Sequence, residues 1–330
     1  MATTFSMKAL LGAVAISATM LSGAVQAEPL KMRMSGDSPA SGLDIVVMQM
    51  FADNLKKKLG ADFEYEFFHT SALGDEVVHM QQIRTGQIDV YPFGSDIVTL
   101  DKSFAVFDMP FLFKDRSVVA KVLDGEIGEK LRVSLREKAG LEVLAFGEIG
   151  FRQITNNVRP IVTPADFKGM KMRVPGSPTR VLMFKTFGAS PINMSFSEVY
   201  LALQSGTIDG QENPLADITA RSLNEVQKFL SISNHVYTPV VLVMNLKKYE
   251  SLTPAQKTAV KEAAQEAATE VRKIGATKDA ELLAQLKAAG KNQINEIDIV
   301  AFKKVSEPLY DQIGKIAGPD LAKSVLAATK

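Results

Sequence analysis

The chain has 330 residues, of which 46% are hydrophobic and 23% are charged. Its 38 Lys and Arg residues nearly balance its 37 Asp and Glu residues, so no overall charge favours nucleic acid or an anionic membrane as the partner. The absence of cysteine excludes disulfides, a thiol nucleophile and a thiolate metal site. A hydrophobic core must therefore supply the stability, and the length predicts two domains.

The first 27 residues have the pattern of a secretory signal peptide. Lys8 gives a positive start, residues 9–23 form an almost unbroken apolar run, and small residues precede Glu28. The alternative, a membrane anchor, is disfavoured because the run is shorter than the roughly 20 residues of a spanning helix. Every later apolar run is broken by charge or proline. We therefore expect cleavage after Ala27 and export of the remainder as a soluble protein.

Strand and helix patterns alternate at the start of the mature chain. The sequence predicts a strand at 30–34, a helix at about 43–59, a strand at 63–68, a helix at 73–85 closed by Gly86, and a strand at 88–91. This alternation predicts an α/β fold in which helices cover a sheet.

Two short stretches resemble each other. Residues 82–89 and residues 203–209 both run from a helix pattern through glycine to a short strand that begins near Ile-Asp. Chance similarity is the alternative, because few letters are shared. If two lobes share one local design, residues 91–95 and 211–214 leave the carboxyl ends of equivalent strands, where open α/β sheets place ligands. The two segments are then expected to face each other across a cleft.

A long helix is predicted towards the C-terminus. Thr253, Pro254 and Gln256 form a helix start, and helix-forming residues continue almost to Gly290. One continuous helix of this length would bridge both lobes, and two helices broken at Gly275 are the alternative. A last helix is predicted at 308–329.

Catalytic signatures are missing from the sequence. It has no nucleophile elbow, P-loop, dinucleotide fingerprint or H-E-x-x-H motif. His69, His79 and His235 are the only histidines, and their spacing matches no compact metal or general-base motif. We therefore expect no catalytic residue, no metal ligand and no cofactor.

Arginines beside small and kinked residues suggest anion recognition. Arg152 lies in Gly150-Phe-Arg152-Gln, and Arg173 and Arg180 flank a Val-Pro-Gly-Ser-Pro-Thr segment. A guanidinium group holds a carboxylate in a bidentate pair and stays charged at any working pH. The alternative for each arginine is a solvated side chain or a pair with a surface carboxylate.

Five blocks of sequence carry a more specific signal. They are Leu73-Gly-Asp-Glu76, Gly150-Phe-Arg152-Gln-Ile-Thr, Asp166-Phe-Lys-Gly-Met-Lys-Met-Arg173-Val-Pro175, Phe196-Ser-Glu-Val-Tyr200 and Asp209-Gly-Gln-Glu-Asn213-Pro214. In this order, over essentially the whole mature chain, they resemble the DctP-type solute-binding proteins of TRAP (tripartite ATP-independent periplasmic) transporters.

The resemblance implies a two-lobed α/β periplasmic-binding-protein fold with hinge strands and a long helix spanning both lobes. One lobe would hold residues 28–149 and about 239–277, and the other residues 150–238 and about 278–330. It also implies a periplasmic receptor that is not an enzyme, and we expect the protein to be a monomer. Such a receptor captures a small organic acid between its lobes and delivers it to small and large membrane subunits.

By the same resemblance, Arg173 is the principal clamp on the ligand carboxylate, and Arg152 and Asn213 assist it from the same lobe. Phe196 matches a position whose ring packs on the ligand, with ordinary core packing as the alternative.

By the same resemblance, the opposite lobe sets the specificity and places Asp37, Glu76 and Asp96 in or near its cleft-facing loops. These hydrogen-bond acceptors suit the hydroxyl groups of a sugar acid such as a hexuronate or aldonate. A C4-dicarboxylate is the alternative, and its second carboxylate would need a cation such as Arg180. Some relatives carry an acidic residue where this sequence has Gly94, so the pattern of the sialic-acid-binding members is not reproduced in full. A periplasmic sugar-acid enzyme, with Glu76 or Asp96 as acid or base, is the remote alternative.

Overall fold

The computed structural model describes residues 1–2 and 28–329. The predicted signal peptide, from residue 3 to its cleavage site after Ala27, lies outside the described residues. Among the residues described, no helix combines the length and the apolar composition that crossing a bilayer requires.

The elements alternate along the chain as the sequence pattern predicts. The strands are β1 (Leu30–Ser35), β2 (Phe63–Phe68), β3 (Val90–Phe93), β4 (Leu141–Phe146), β5 (Gly150–Asn156), β6 (Lys171–Val174), β7 (Ser190–Asn193), β8 (Gly210–Pro214), β9 (Phe229–Ile232), β10 (Tyr237–Thr238), β11 (Val241–Asn245) and β12 (Gln293–Glu296). The α-helices are α1 (Leu43–Leu59), α2 (Glu76–Thr85), α3 (Arg116–Leu123), α4 (Glu126–Ala139), α5 (Pro178–Thr186), α6 (Val199–Gln204), α7 (Leu215–Ala220), α8 (Leu246–Ser251), α9 (Pro254–Ala289), α10 (Ile299–Ala317) and α11 (Pro319–Ala328). Short 3-10 helices lie at Gly60–Asp62, Ser95–Thr99, Lys102–Asp108, Pro164–Phe167, Phe196–Glu198 and Leu223–Glu225.

The strands form two sheets. The first sheet has the order β2-β1-β3-β11-β4, and the second has the order β12-β9-β5-β8-β6-β7, with β10 paired to β5. Within each sheet one strand runs antiparallel to both of its neighbours: β11 in the first sheet and β5 in the second. The predicted two-lobed α/β architecture is confirmed.

The chain passes between the sheets twice through short connections. Residues 147–149 join β4 to β5, and residues 239–240 join β10 to β11. The predicted lobe bounds stay a prediction. Helix α11 packs against α3 and α4 beside the first sheet, so the segment after 278 is not confined to the second sheet.

The similarity between residues 82–89 and 203–209 has a structural counterpart. Gly86 ends α2 with a φ of 78°, and Gly206 follows α6 with a φ of 74°, a conformation that glycine adopts without strain. Asp89 Oδ2 then accepts a hydrogen bond from a backbone N–H of β1 (2.8 Å), and Asp209 Oδ2 accepts one from β6 (2.7 Å). The two lobes therefore share this local design, and the prediction from the sequence is confirmed.

Helix α9 is one continuous helix of 36 residues, about 54 Å long at 1.5 Å per residue. Thr253 and Gln256 cap its start reciprocally, and it ends at Gly290. It contacts α1 and β4 on the first sheet and α7 beside the second, which confirms that it bridges both lobes. The two-helix alternative is wrong. Gly275 serves a close approach instead, because a Cβ there would lie 2.5 Å from Glu148 Oε1.

The predicted last helix at 308–329 is wrong in its bounds. Pro308 lies inside α10, and the helical segment breaks at Gly318, whose φ is 108°. The predicted start of the second helix at 73 is also early. Asp75 caps α2 by accepting hydrogen bonds from two backbone N–H groups, so the helix begins at Glu76.

Candidate functional site

The carboxyl ends of β1, β3, β6 and β8 meet at a cavity of about 70 Å³ between the two sheets. This is where open α/β sheets place ligands, and it is where the sequence predicts that residues 91–95 and 211–214 face each other. Seven of the eight predicted ligand-binding residues line the cavity: Asp37, Glu76, Asp96, Arg152, Arg173, Phe196 and Asn213. Their contacts with a ligand stay a prediction.

Arg173 is a buried cation without a close anion. It lies on β6, is 2% exposed, and donates from Nε (3.0 Å) and Nη2 (2.8 Å) to the backbone carbonyl of Met194. Among the described residues, Glu76 is the one carboxylate in ion-pair range, and its Oε1 lies 3.9 Å from Nη2. Burial lowers the pKa of Arg173 to about 10, against the opposing effect of Glu76. The side chain therefore carries a positive charge that the protein compensates only in part.

Phe196 makes cation–π contacts with two guanidinium groups. The Cζ of Arg173 is 5.0 Å from the ring centroid, and the Cζ of Arg221 is 3.9 Å from it. Cations over an aromatic face are attracted by the negative charge of its π-system. Phe196 thus fixes the position of Arg173 and also lines the cavity.

Arg152 is held by the protein itself. From β5 its Nε donates to Glu212 Oε2, and its Nη2 donates to Asn213 Oδ1 (2.8 Å). Nη1 donates to Thr238 Oγ1 at 3.3 Å. Asn213 in turn donates from Nδ2 to Gln211 Oε1 (2.6 Å). Arg152 and Asn213 therefore reach the cavity as parts of a fixed hydrogen-bond network, and Glu212 already neutralises the arginine.

Arg180 does not reach the cavity lining, which corrects the expectation that it contacts the ligand. Its side chain is fully buried, with Nη2 2.6 Å from Asp108 Oδ1 and Nη1 2.7 Å from Glu212 Oε1. Burial lowers its pKa, but the two carboxylates outweigh burial and raise it overall. For Glu212, burial raises the pKa while Arg152 and Arg180 lower it well below its usual value. Asp108 and Glu212 compensate the charge of Arg180 inside the protein, so this charge is not available to a second ligand carboxylate.

Asp37 is a cavity carboxylate that the first lobe holds in place. Its Oδ1 lies 2.8 Å from His79 Nδ1, and its Oδ2 accepts a hydrogen bond from the Tyr91 hydroxyl. His79 Nε2 lies 2.8 Å from Ser35 Oγ, which leaves the imidazole fully engaged. His79 therefore orients Asp37. The other buried histidine, His235, has its Nε2 3.1 Å from Glu212 Oε2, so it also supports a carboxylate inside the protein.

Hydrogen bonds of two side chains, Glu76 and Arg221, connect the lobes across the cleft. Glu76 Oε2 accepts from the Ser195 hydroxyl (3.0 Å), and its Oε1 accepts from the backbone N–H of Phe196 (3.1 Å). Arg221 Nη2 donates to the backbone carbonyl of Asp37 (2.5 Å). Glu76 was predicted as a ligand acceptor, and the structure shows that it also joins α2 to the second lobe.

Asp96 is the cavity carboxyl group with the freest hydrogen-bonding capacity among the predicted residues. It is 9% exposed, and its Oδ2 has no hydrogen-bond partner within residues 1–2 and 28–329. Burial, followed by the charges of Glu76 and Asp37, raises its pKa to about 7. At neutral pH this carboxyl group is therefore present in both protonation states, and it can donate as well as accept a hydrogen bond.

Four residues important to the site were not predicted: Asp44, Glu212, Asp217 and Arg221. Glu212 lies inside a block already singled out, but its role depends on two arginines distant in sequence. Asp44 and Asp217 each lie in the first turn of a helix that follows the carboxyl end of a strand. Their position at the start of such a helix is the sequence signal that could have identified Asp44 and Asp217 as candidate site residues. No group of three or more potential metal ligands exists among the described residues.

Two α/β lobes joined by short hinge connections, with a buried and partly uncompensated arginine in the cavity between them, define a ligand-binding receptor of the periplasmic type. Residues 39–315 match the family model of DctP, the bacterial extracellular solute-binding protein family 7. The chain belongs to this family.

Named relatives agree with this placement. The 2,3-diketo-L-gulonate-binding periplasmic protein YiaO of Escherichia coli is 37% identical over 287 residues, 85% of this chain and 86% of the relative. The C4-dicarboxylate-binding periplasmic protein DctP of Rhodobacter capsulatus is 31% identical over 333 residues, 97% of each chain. The sugar acid binding protein DctPAm of Advenella mimigardefordensis, solved with galactonate, has a TM-score of 0.87 and 31% identity, covering 92% of this chain and 98% of that one.

The family resemblance seen in the sequence is thereby confirmed. Family members are periplasmic solute-binding receptors for small carboxylate or sugar-acid ligands and work with TRAP membrane components. They are receptors, not enzymes.

Proposed function

We propose that this protein is a periplasmic receptor for a polyhydroxylated monocarboxylate, such as a hexuronate or an aldonate, which it delivers to a TRAP membrane permease. The observation that carries the proposal is the charge distribution of the cavity. Arg173 offers one partly uncompensated positive charge, whereas the rest of the polar lining is dominated by carboxyl groups.

The lining favours one ligand carboxylate over two. Within the described part of the chain, the cations that line the cavity are Arg152 and Arg173, and Glu212 pairs with Arg152. Five carboxyl groups share the same lining: Asp37, Asp44, Glu76, Asp96 and Asp217. A second ligand carboxylate would add negative charge beside this group of acidic residues, whereas ligand hydroxyl groups would find acceptors there.

In this account, Arg173 binds the ligand carboxylate through a charge-assisted pair, and Arg152 and Asn213 complete its surroundings from the same lobe. Phe196 packs against the ligand on the side of Arg173. Asp37, Glu76 and Asp96 accept hydrogen bonds from ligand hydroxyl groups. Ligand binding favours approach of the two lobes because the contacts on both sides exist together only when the cleft closes.

Relatives that bind sugar acids support this ligand class. YiaO is named for 2,3-diketo-L-gulonate, and DctPAm was solved with galactonate. The Rhodobacter capsulatus DctP is named for C4-dicarboxylates, which keeps a dicarboxylate as the second candidate. The burial of Arg180 between Asp108 and Glu212 counts against that candidate, because Arg180 then offers no charge to a second ligand carboxylate.

A thermal-shift screen of the mature protein tests the proposal. The panel contains hexuronates, aldonates, C4-dicarboxylates, 2-oxo acids and sialic acid. A ligand at 100 times its Kd stabilises the folded state by about 2.7 kcal/mol, which raises Tm by several degrees. We expect shifts confined to sugar acids. A larger shift with succinate or malate contradicts the proposed ligand class, and unchanged Tm with every acid contradicts the receptor function.

A further inference from the structure

Asp44 and Asp217 enter the cavity lining from opposite lobes. Asp44 lies in the first turn of α1, which packs on β2 and β3 of the first sheet. Asp217 lies on α7, which packs on β5 and β8 of the second sheet. The two residues are 7% and 4% exposed, so both carboxyl groups are removed from bulk water. They therefore form a pair of polar groups that the two lobes bring together in the lining that also contains Arg173.

Each of the two carboxyl groups has an oxygen atom that the protein leaves without a donor. Neither Asp44 Oδ1 nor Asp217 Oδ1 has a hydrogen-bond partner in the described ranges 1–2 and 28–329. A buried acceptor left unpaired costs about 1–3 kcal/mol, so such atoms beside a cavity point to a donor that comes from the ligand.

The local chain makes room for the Asp44 carboxyl group. A Cβ on Gly42 would lie 2.6 Å from Asp44 Oδ1, a distance that real Cβ contacts essentially never show. The glycine before α1 therefore lets the carboxyl group fold back over the start of the helix, beside the loop that carries Ser38 and Asp37. This placement keeps the group at the cavity.

The two carboxyl groups also influence each other's charge. Burial and the charge of Asp217 raise the pKa of Asp44 to about 7, against the opposing effects of a hydrogen bond from Ser38 and of the charge of Arg221. Burial likewise raises the pKa of Asp217, which Arg221 and Arg152 oppose. Approach of the two lobes thus brings together groups that repel each other when both are ionised, unless hydrogen-bond donors lie between them.

We propose that Asp44 and Asp217 are specificity-determining residues that accept hydrogen bonds from hydroxyl groups of a ligand whose carboxylate lies at Arg173. The inference rests on the proposed function and sharpens it. A polyhydroxylated acid supplies donors to both carboxyl groups and so permits closure. A dicarboxylate adds a further negative charge beside them and leaves their oxygens unpaired.

Isothermal titration calorimetry with D-galactonate and D-glucuronate, each beside its monodeoxy analogues, tests this assignment. The proteins are the wild type, Asp44→Asn and Asp217→Asn, with Asp53→Asn on the exposed part of α1 as the matched control. We expect each cavity variant to bind the parent acid about 10- to 100-fold more weakly, the scale for a hydrogen bond to a charged group. For the deoxy analogue that lacks the contacted hydroxyl, the same variant should cause little further loss.

The deoxy series measured on the wild type alone keeps the test decisive where a variant does not fold. Equal affinity of the wild type for both parent acids and all their deoxy analogues overturns the inference, as does wild-type affinity in both cavity variants. Preference for succinate over both sugar acids also overturns it but leaves a carboxylate receptor. No binding of any carboxylate in the panel removes the proposed function itself.

Discussion

Three buried arginines of the second lobe differ in their carboxylate partners, and this difference decides their roles. Arg152 and Arg180 share Glu212, and Arg180 is paired with Asp108 as well. Arg173, on β6, has only Glu76 at 3.9 Å among the described carboxylates. All three are at least 97% buried, since their exposures are 3%, 0% and 2%.

The comparison shows that burial alone does not make an arginine a ligand-binding residue. A buried cation matched by carboxylates is a structural element, and removing one partner leaves an uncompensated charge. A buried cation without a close carboxylate, placed at a cavity, attracts an anion from outside. The depression of the pKa of Arg173 to about 10, in contrast to the raised pKa of Arg180, reflects this difference.

The largest expected effect comes from a substitution that disrupts the paired arginines, Arg152 and Arg180. Glu212→Gln removes the carboxylate that Arg152 and Arg180 share, so both guanidinium groups lose a partner inside the protein. We expect the free energy of unfolding to fall by about 3–5 kcal/mol, measured by urea denaturation. Glu225→Gln, an exposed position in the same lobe, is the control. A loss no greater than that of the control would contradict the structural role.

The next effect concerns the other arginine. Arg173→Ala should weaken binding of the sugar acid by about 2–5 kcal/mol, because one partner of a buried charge pair is lost. The free energy of unfolding should change far less than in Glu212→Gln. Titration calorimetry and urea denaturation measure the two quantities, with exposed Lys171→Ala on the same strand as control. Full affinity in the Arg173 variant removes this residue from the site.

A smaller effect appears in the pH dependence. Burial and Glu76 raise the pKa of Asp96 to about 7, above its ordinary value of 3.8, so the folded state binds a proton that the unfolded state releases between these values. The stabilisation from Asp96 is therefore complete below about pH 4 and is lost as the pH rises through 7. Asp96→Asn should flatten the fall in Tm between pH 5 and pH 8. An unchanged slope contradicts the raised pKa.

The smallest effect concerns the aromatic ring of Phe196, which contacts Arg173 and Arg221. Phe196→Leu keeps an apolar side chain but removes the π-face that both guanidinium groups contact. Cation–π contacts contribute from about 0.5 kcal/mol at exposed sites to about 2 kcal/mol when desolvated, so we expect affinity for the sugar acid to fall by a factor of about 2 to 30. An unaltered Kd in calorimetry shows that the ring only fills space.

Local signals in the sequence predicted much of the fold. Helix α1 has the predicted bounds, and the Thr253 cap and Gly290 mark the ends of α9 as expected. The helix break at Gly318 was missed because Pro308 was read as a start, although a packed helix tolerates it there.

The site was predicted only as far as the family pattern reached. Arg173 and Arg180 are seven residues apart, and nothing in their immediate neighbourhood separates a cavity cation from a paired one. The difference depends on Asp108 and Glu212, which only the folded chain brings to Arg180. Asp44 and Asp217 were missed for a similar reason, because their proximity arises when the two lobes meet.

The central claim, that a partly uncompensated Arg173 selects the carboxylate of a sugar acid, is tested most directly on the ligand. Titration calorimetry of the wild-type protein with D-glucuronate and with D-glucuronamide changes the carboxylate to a neutral amide and leaves the hydroxyl groups in place. We predict measurable binding of glucuronate and an affinity for the amide lower by at least about 30-fold, the lower end of the scale for a buried charge pair. Equal affinities for the two compounds would contradict the account.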